Sequence, residues 1–214
     1  MTAFCSWSGG KESSLALQRA LESGLEVEYL VTVLPSEDSS VGHGLPDDFY
    51  FMQGNAIGKE MRRTRTDWES YEENLSELVK EIQPDKGVFG DVYLDDHLEW
   101  VNNFADKLGF EPLEPLSGGD PKELYLELLD KGFKAIVVKT DPEEISPRWL
   151  GKELDEDFLN HLLEEGICPL GEGGEYHTAV LDGPFFERGI EAEFGERKDY
   201  GDGKIIEITD YELA

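Results

Sequence analysis

Six consecutive residues near the N-terminus, Ser8-Gly9-Gly10-Lys11-Glu12-Ser13, combine two glycines, a lysine and two hydroxyls. That set suits a phosphate. Adjacent glycines let the backbone approach a ligand closely and present successive N–H groups to it. Lys11 adds a full positive charge, and Ser8 and Ser13 add hydroxyl donors. A short apolar run, Thr2–Trp7, precedes the segment, and a helical pattern, Glu12–Ser23, follows it. A helix N-terminus at this point contributes further partial positive charge. A plain glycine turn with a serine cap is the competing reading of the same residues. The spacing matches neither the Gly-x4-Gly-Lys-Ser/Thr loop nor the Gly-x-Gly-x-x-Gly turn.

Other reactive residue types are scattered. Asp91 follows the short run Lys86–Gly90, and in open α/β sheets ligands bind at the carboxyl ends of strands. His43 lies in a long loop after the second apolar run, where a plain surface histidine is the alternative. Lys59–Arg65 (KEMRRTR) carries four bases and one acid. It reads either as a strand whose solvated arginines balance nearby acids or as a contact for phosphates or an acidic macromolecule. His97 and His161 fall on helical patterns. Cys5 reads as a small buried residue, and Cys168 precedes a glycine-rich turn, Gly171–Gly174. The histidines and cysteines show no metal-ligand spacing.

The elements that must position these residues alternate. Val27–Leu34 is an apolar, β-rich run of the buried-strand type. Asp47–Gly58 reads as a helix, Trp68–Ile82 as an amphipathic helix with apolar residues at 3–4 spacing, and Asp95–Leu108 as another that stops at Gly109. Such alternation predicts an α/β fold with a mainly parallel sheet. Punctuation changes at Pro112–Gly119, a soft boundary. Beyond it the pattern predicts a helix over Pro121–Lys131, a strand over Lys134–Thr140, a helix over Glu153–Glu165, and a strand-rich tail. Gly189–Arg197 and Lys204–Thr209 form a hairpin through Asp202-Gly203 in this reading.

The chain has 214 residues, with 48 Asp+Glu against 19 Lys+Arg and a formal net charge of −29. Hydrophobic residues make up 39%, too many for a disordered acidic chain. The acids fall in both halves, so they form a solvated shell and not a tail. Such a field opposes non-specific nucleic-acid and anionic-membrane binding; it also fits a high-salt habitat. No run of about 18 apolar residues occurs, so no transmembrane helix is expected. Met1–Cys5 lacks the features of a signal peptide. Two cysteines make no disulfide framework, and a reducing cytoplasm is the expected compartment.

The hexapeptide Ser8–Ser13 resembles the SGGxDS pyrophosphate loop of the PP-loop ATP pyrophosphatases, with Glu12 in place of the usual Asp. Gly171-Glu172-Gly173-Gly174-Glu175-Tyr176-His177-Thr178, followed by Val180-Leu181-Asp182-Gly183-Pro184, resembles the GEGGEYxT…DGP signature of the diphthine–ammonia ligase (diphthamide synthase) family. Gly90–Leu94 through Trp100, Pro112–Leu116, and Trp149-Leu150-Gly151 with Leu154 resemble further segments of that family in the same order. Characterised ligases more often carry GEYET or GEFET, so His177 marks a departure.

The resemblance implies an N-terminal HUP/Rossmann-like, parallel-sheet PP-loop domain over residues 1–113 and a smaller C-terminal α+β substrate domain over 114–214. It implies an enzyme that uses ATP to adenylate a substrate carboxylate, releases pyrophosphate, and lets ammonia displace AMP. The acceptor would be diphthine on elongation factor 2. Ser8, Gly9, Gly10, Lys11, Glu12 and Ser13 would hold the β- and γ-phosphates, with Lys11 offsetting charge at the reacting phosphorus. Mg²⁺ would bridge phosphate oxygens, with Glu12 or Asp91 as a ligand. Asp91, Glu172, Gly174, Glu175, Tyr176, His177 and Thr178 would form the substrate side. Diphthine carries a quaternary ammonium, which suits carboxylates and an aromatic face. Glu175 would bind ammonium or take a proton from it, and His177 would act as a base near neutral pH. Free ammonium is the expected nitrogen source. No membrane or direct nucleic-acid partner is expected, and an oligomer is compatible with the reading. Two other functions fit the same loop. One is a relative with this adenylating chemistry on a small, cobalamin-related molecule, to which His177 points. The other is a non-catalytic adenine-nucleotide-binding module, to which Glu12 points. A thiolating enzyme is disfavoured by two cysteines so far apart.

Overall fold

The computed structural model describes residues 1–36, 42–67, 69–92 and 95–214, except the side chains of Asp95 and Asp96. The chain divides into two compact units. The first holds Met1–Ser8, Glu12–Ser39 and Lys59–Gly119; the second holds Gly9–Lys11, Ser40–Gly58 and Asp120–Ala214. The second unit therefore takes two segments from the N-terminal half of the chain.

In the first unit five strands are all parallel. They are β1 (Ala3–Ser6), β2 (Tyr29–Pro35), β3 (Glu60–Thr66), β4 (Lys86–Val88) and β5 (Glu111–Leu113), in the order β3-β2-β1-β4-β5. This is a Rossmann-like arrangement. The order reverses at β1, so the crevice beyond the carboxyl ends of β1 and β4 is the topological switch point. The crossover helices are α1 (Lys11–Glu22), α3 (Tyr71–Ile82) and α4 (Asp95–Leu108). Trp68, placed at the start of α3 by its pattern, lies outside the described residues. The core packs Phe4 edge-on against Phe89 and Phe110, with ring centroids 5.8 and 5.4 Å away. Phe104, Val101, Leu75 and Val79 join it from the helices.

One strand departs from expectation. β5 falls where the sequence reads as punctuation, because it is three residues long and contains Pro112. It pairs only with β4 at the sheet edge, where a proline costs no ladder bond on the outer side. β3 is the other edge, and it is the basic segment. Met61 and Thr66 are buried, whereas Arg63 and Arg65 are exposed. Arg62 pairs with Glu60 at 2.7 Å and lies over the Tyr29 ring. Solvated charges along an edge strand discourage pairing with a foreign sheet.

The second unit is α+β. Its sheet is antiparallel, in the order β7 (Tyr176–Asp182), β6 (Lys134–Thr140), β9 (Gly203–Leu213), β8 (Ile190–Tyr200). Its helices are α2 (Asp47–Ile57), α5 (Pro121–Asp130) and α6 (Glu156–Glu165), with a short 3-10 turn at Pro147–Trp149. Asp120 caps α5 by accepting from the N–H groups of Lys122 and Glu123. Helix α6 starts three residues later than its periodicity suggests, because Asp155 accepts from the Phe158 N–H and becomes the cap. The β8–β9 turn centres on Gly201-Asp202, one residue before the sequence signal. Gly201 takes the left-handed conformation there (φ +63°), and Tyr200 pairs with Gly203. Among the described residues no helix is long and apolar enough to cross a membrane.

Phe104→Ala is expected to lower unfolding stability by about 3–5 kcal/mol in urea titrations, through a cavity in the aromatic core. Arg63→Gln on the exposed side of β3 should stay within about 0.5 kcal/mol.

Candidate active site

The glycine loop is built from β1 outward. Gly9 has φ +76°, and a Cβ there would lie 2.6 Å from the Gln53 side-chain oxygen, so both conformation and packing demand glycine. Within the second unit, Gly9–Lys11 are held by strand β7. The Val180 N–H donates to the Gly9 carbonyl at 2.9 Å, and the Lys11 N–H donates to Thr178 Oγ1 at 3.0 Å. Gln53, on α2 and fully buried, donates from Nε2 to both the Gly9 carbonyl (3.0 Å) and the Val180 carbonyl (2.9 Å). Lys11 is only 2% exposed, and its Nζ sits 4.1 Å from the centre of the Tyr176 ring. The Tyr176 hydroxyl donates to the Pro169 carbonyl at 2.5 Å. The two sequence motifs thus meet through backbone, side-chain and cation–π contacts.

The turn before β7 sets the Tyr176 ring. Gly171 has φ +65°, and a Cβ there would come within 2.7 Å of that ring. Gly174 is exposed, and Glu172 and Glu175 are half-buried. One Glu175 oxygen, Oε2, is buried with no hydrogen-bond partner among the described residues.

Beside this segment the second unit holds a cavity of about 670 Å³, lined by His43, Lys139, His177, Asp141 and glycines of three loops. His43 lies against the loop: a Cβ on Gly10 would meet its Cε1 at 2.8 Å. His43 Nδ1–H donates to the Thr178 carbonyl at 3.0 Å, and its ring centre is 4.7 Å from that of His177. Burial, then His43, Lys11 and Lys139, push the His177 pKa down to about 2. The imidazole is therefore neutral near pH 7, a hydrogen-bonding face and not the titrating base that its type alone suggests.

The remaining loop residues belong to the first unit. The Ser8 and Ser13 hydroxyls are 3.2 Å apart. Gly90, just after β4, packs on the start of α1; a Cβ there would lie 3.1 Å from the Glu12 carbonyl carbon and the Ser13 nitrogen. Asp91 follows at once, with Oδ1 3.2 Å from His97 Nδ1. A second cavity of about 650 Å³ opens at the switch point, lined by Ser6, Phe89, Asp91, Tyr71 and Trp100 among others. Burial and the nearby Asp91 push the Tyr71 hydroxyl pKa up. Tyr71 and Trp100 are legible in the sequence only as apolar helix positions, and Gln53 and Lys139 carry no sequence signal. Cys5 is buried, which pushes its thiol pKa far up and makes it inert; Cys168 is half-buried. His161 stacks on Trp149.

Gln53→Met keeps the volume but strands two buried carbonyls. It should cost about 1–3 kcal/mol in denaturant titrations. The His177 shift has a definite sign. Unfolded histidine binds a proton below about pH 6.5 and the folded one does not, so this contribution is complete above pH 6.5 and is lost as pH falls toward 2. His177→Gln should therefore flatten the acid-side decline of stability, measured by urea unfolding from pH 7 to 4.

Family comparisons cover both halves of the chain. A model of the diphthamide synthase N-terminal domain matches residues 1–112, and one of the diphthamide synthase C-terminal domain matches residues 120–213. The chain is similar to the diphthine–ammonia ligases of Homo sapiens (27% identical; 88% of this chain, 82% of that protein) and Danio rerio (28%; 86% and 83%). It is also similar to that of Schizosaccharomyces pombe (28%), covering 92% of this chain but 37% of that longer protein. A solved structure described as a predicted subunit of tRNA methyltransferase from Methanocaldococcus jannaschii aligns with TM-score 0.47 and 16% identity over 84% of this chain and 96% of that one. With both halves matched in order, and with the loop and β7 joined as described, the chain belongs to the diphthamide synthase family.

Proposed function

We propose that the protein is an ATP-dependent ligase that adenylates an acceptor carboxylate and amidates it with ammonia, converting diphthine to diphthamide on elongation factor 2. The observation that carries this reading is the buried Lys11, set by the glycine loop and held against the signature strand β7. Such a placement of one cation suits charge that develops on phosphate oxygens. On this reading residues 1–113 supply most of the ATP site and 114–214 the acceptor side.

The steps balance. A carboxylate oxygen attacks the α-phosphorus, and the bond to the β-phosphate oxygen breaks with release of pyrophosphate. Ammonia then attacks the acyl carbon, the bond to AMP breaks, and the excess proton passes to a base. Gly9 and Gly10 bring backbone to the β- and γ-phosphates, Ser8 and Ser13 bring hydroxyls, and Lys11 offsets charge. Mg²⁺, when bound, would neutralise phosphate charge. It takes one or two carboxylates plus water and phosphate oxygens, and Glu12 and Asp91 fit that mode, since Gly90 packs on the Glu12 backbone. Among the described residues no group of three candidate ligands occurs, so no all-protein metal cage is invoked. Glu175, with one unpartnered oxygen, is suited to hold ammonium and take its proton. Neutral His177 orients and does not titrate. A second reading, the same chemistry on a small molecule, is favoured by the size of the cavity that His43 and His177 line, about 670 Å³.

The test supplies ATP, ammonium and diphthine-bearing elongation factor 2. AMP and pyrophosphate should appear in equal amounts with the amide; ADP would sink the adenylation mechanism. Amide formed only on small carboxylates would select the second reading. Lys11→Met should lower kcat by about 10²–10³-fold.

A further inference from the structure

A buried lysine outside both sequence motifs marks the most specific unassigned feature. Lys139 lies on β6 and pairs in register with His177 on β7. Its side chain is 10% exposed. Its Nζ makes no hydrogen bond among the described residues. The nearest carboxylate, on the 96%-exposed Asp202, is 3.9 Å away, and the Tyr200 ring centre is 5.6 Å away. Leaving an ammonium this buried and this poorly paired costs free energy. Packing nonetheless holds it in place, because Gly203 leaves room for its stem: a Cβ there would come within 2.9 Å of Lys139 Cε.

The ammonium faces the cavity that His43 and His177 also line. Lys11 and Lys139 both act on His177, whose ring centre lies 4.7 Å from that of His43, so two ammonium groups bear on this corner of a chain of net charge −29. The counter-charges on the cavity wall are Asp141 and Asp202. Asp141 Oδ1 already accepts from the Glu143 N–H at 2.9 Å, and Asp202 extends into solvent.

We propose that Lys139, His43 and His177 form an oxyanion subsite, which takes either the carboxylate of the acceptor or the departing pyrophosphate. This deepens the ligase reading and rests on it for the identity of the two anions. The subsite adjoins Gly10 through His43, so an oxyanion held there lies beside the phosphate loop. Lys139 supplies the charge-assisted hydrogen bond, and the neutral His177 imidazole offers one ring N–H as a further donor, while His43, whose Nδ1–H is committed to the Thr178 carbonyl, packs beside it.

The full chain, with ¹⁵N-labelled histidines, is titrated separately with glycine betaine, acetate and inorganic pyrophosphate. The ring resonances of His43 and His177 should shift with at least one class. Lys139→Met should weaken that binding at least ~10-fold, and Lys139→Arg should hold it within about threefold. A response to the carboxylates alone assigns the subsite to the acceptor; a response to pyrophosphate alone assigns it to the leaving group. Silent histidine resonances with all three probes overturn the proposal, as does unchanged affinity in a folded Lys139→Met protein. The wild-type titration and the arginine variant stand even if the methionine variant unfolds. No turnover is read, so a protein that binds the anion yet makes no AMP would refute the ligase reading and leave the subsite intact.

Discussion

Gln53 donates both of its amide hydrogens where the loop and strand β7 meet, and the rest of the site depends on that junction. The glycine loop has no side chains with which to hold itself at Gly9 and Gly10. Its position comes instead from backbone bonds to Thr178 and Val180 and from one fully buried amide. In a low-dielectric interior such bonds are strong, and their absence is costly. The junction therefore fixes Lys11, and Tyr176 then shields the ammonium with its ring face. A loop that binds a flexible polyanion gains from this preorganisation, since the ordering is done before the ligand arrives.

The overall charge gives the same arrangement a second meaning. At −29, the chain repels anions at long range, though salt screens that repulsion beyond about 8–10 Å. Binding an anion then relies on short-range cations that solvent cannot screen. Lys11 and Lys139 are both less than a tenth exposed, and His43 and His177 lie against each other in the same unit. The exposed arginines of β3 lie along a sheet edge, where solvated charge discourages pairing with foreign strands.

Elements were legible wherever their cause is local. Helix α1 follows from the apolar spacing of Leu15, Leu17, Ala20 and Leu21, and β6 matches Lys134–Thr140 residue for residue. Helix α4 matches Asp95–Leu108 in the same way. Errors fell where a neighbour decides. β5 exists only because β4 offers it a ladder, the start of α6 is moved by one Asp155 hydrogen bond, and the last turn shifts to where Gly201 can take a positive φ. The candidate site was legible in its motifs, Ser8–Ser13 and Gly171–Thr178. Gln53, Lys139, Tyr71 and Trp100 were not, since each looks like an ordinary helix or strand residue until its partners are known.

By itself, then, the amino-acid order determined the α/β alternation, the phosphate-type loop, the glycine signature and the acidic shell. Each of these rests on periodicity, composition or residues adjacent in the chain. Only the tertiary structure decided that Gly9–Lys11 pack with β7, that His177 is neutral, and that Lys139 faces the cavity that His43 lines. These outcomes depend on burial and on contacts between residues more than 100 positions apart, as in Lys11 with Thr178 and Gln53 with Val180. Desolvation and charge proximity act through space, and no local pattern encodes that distance.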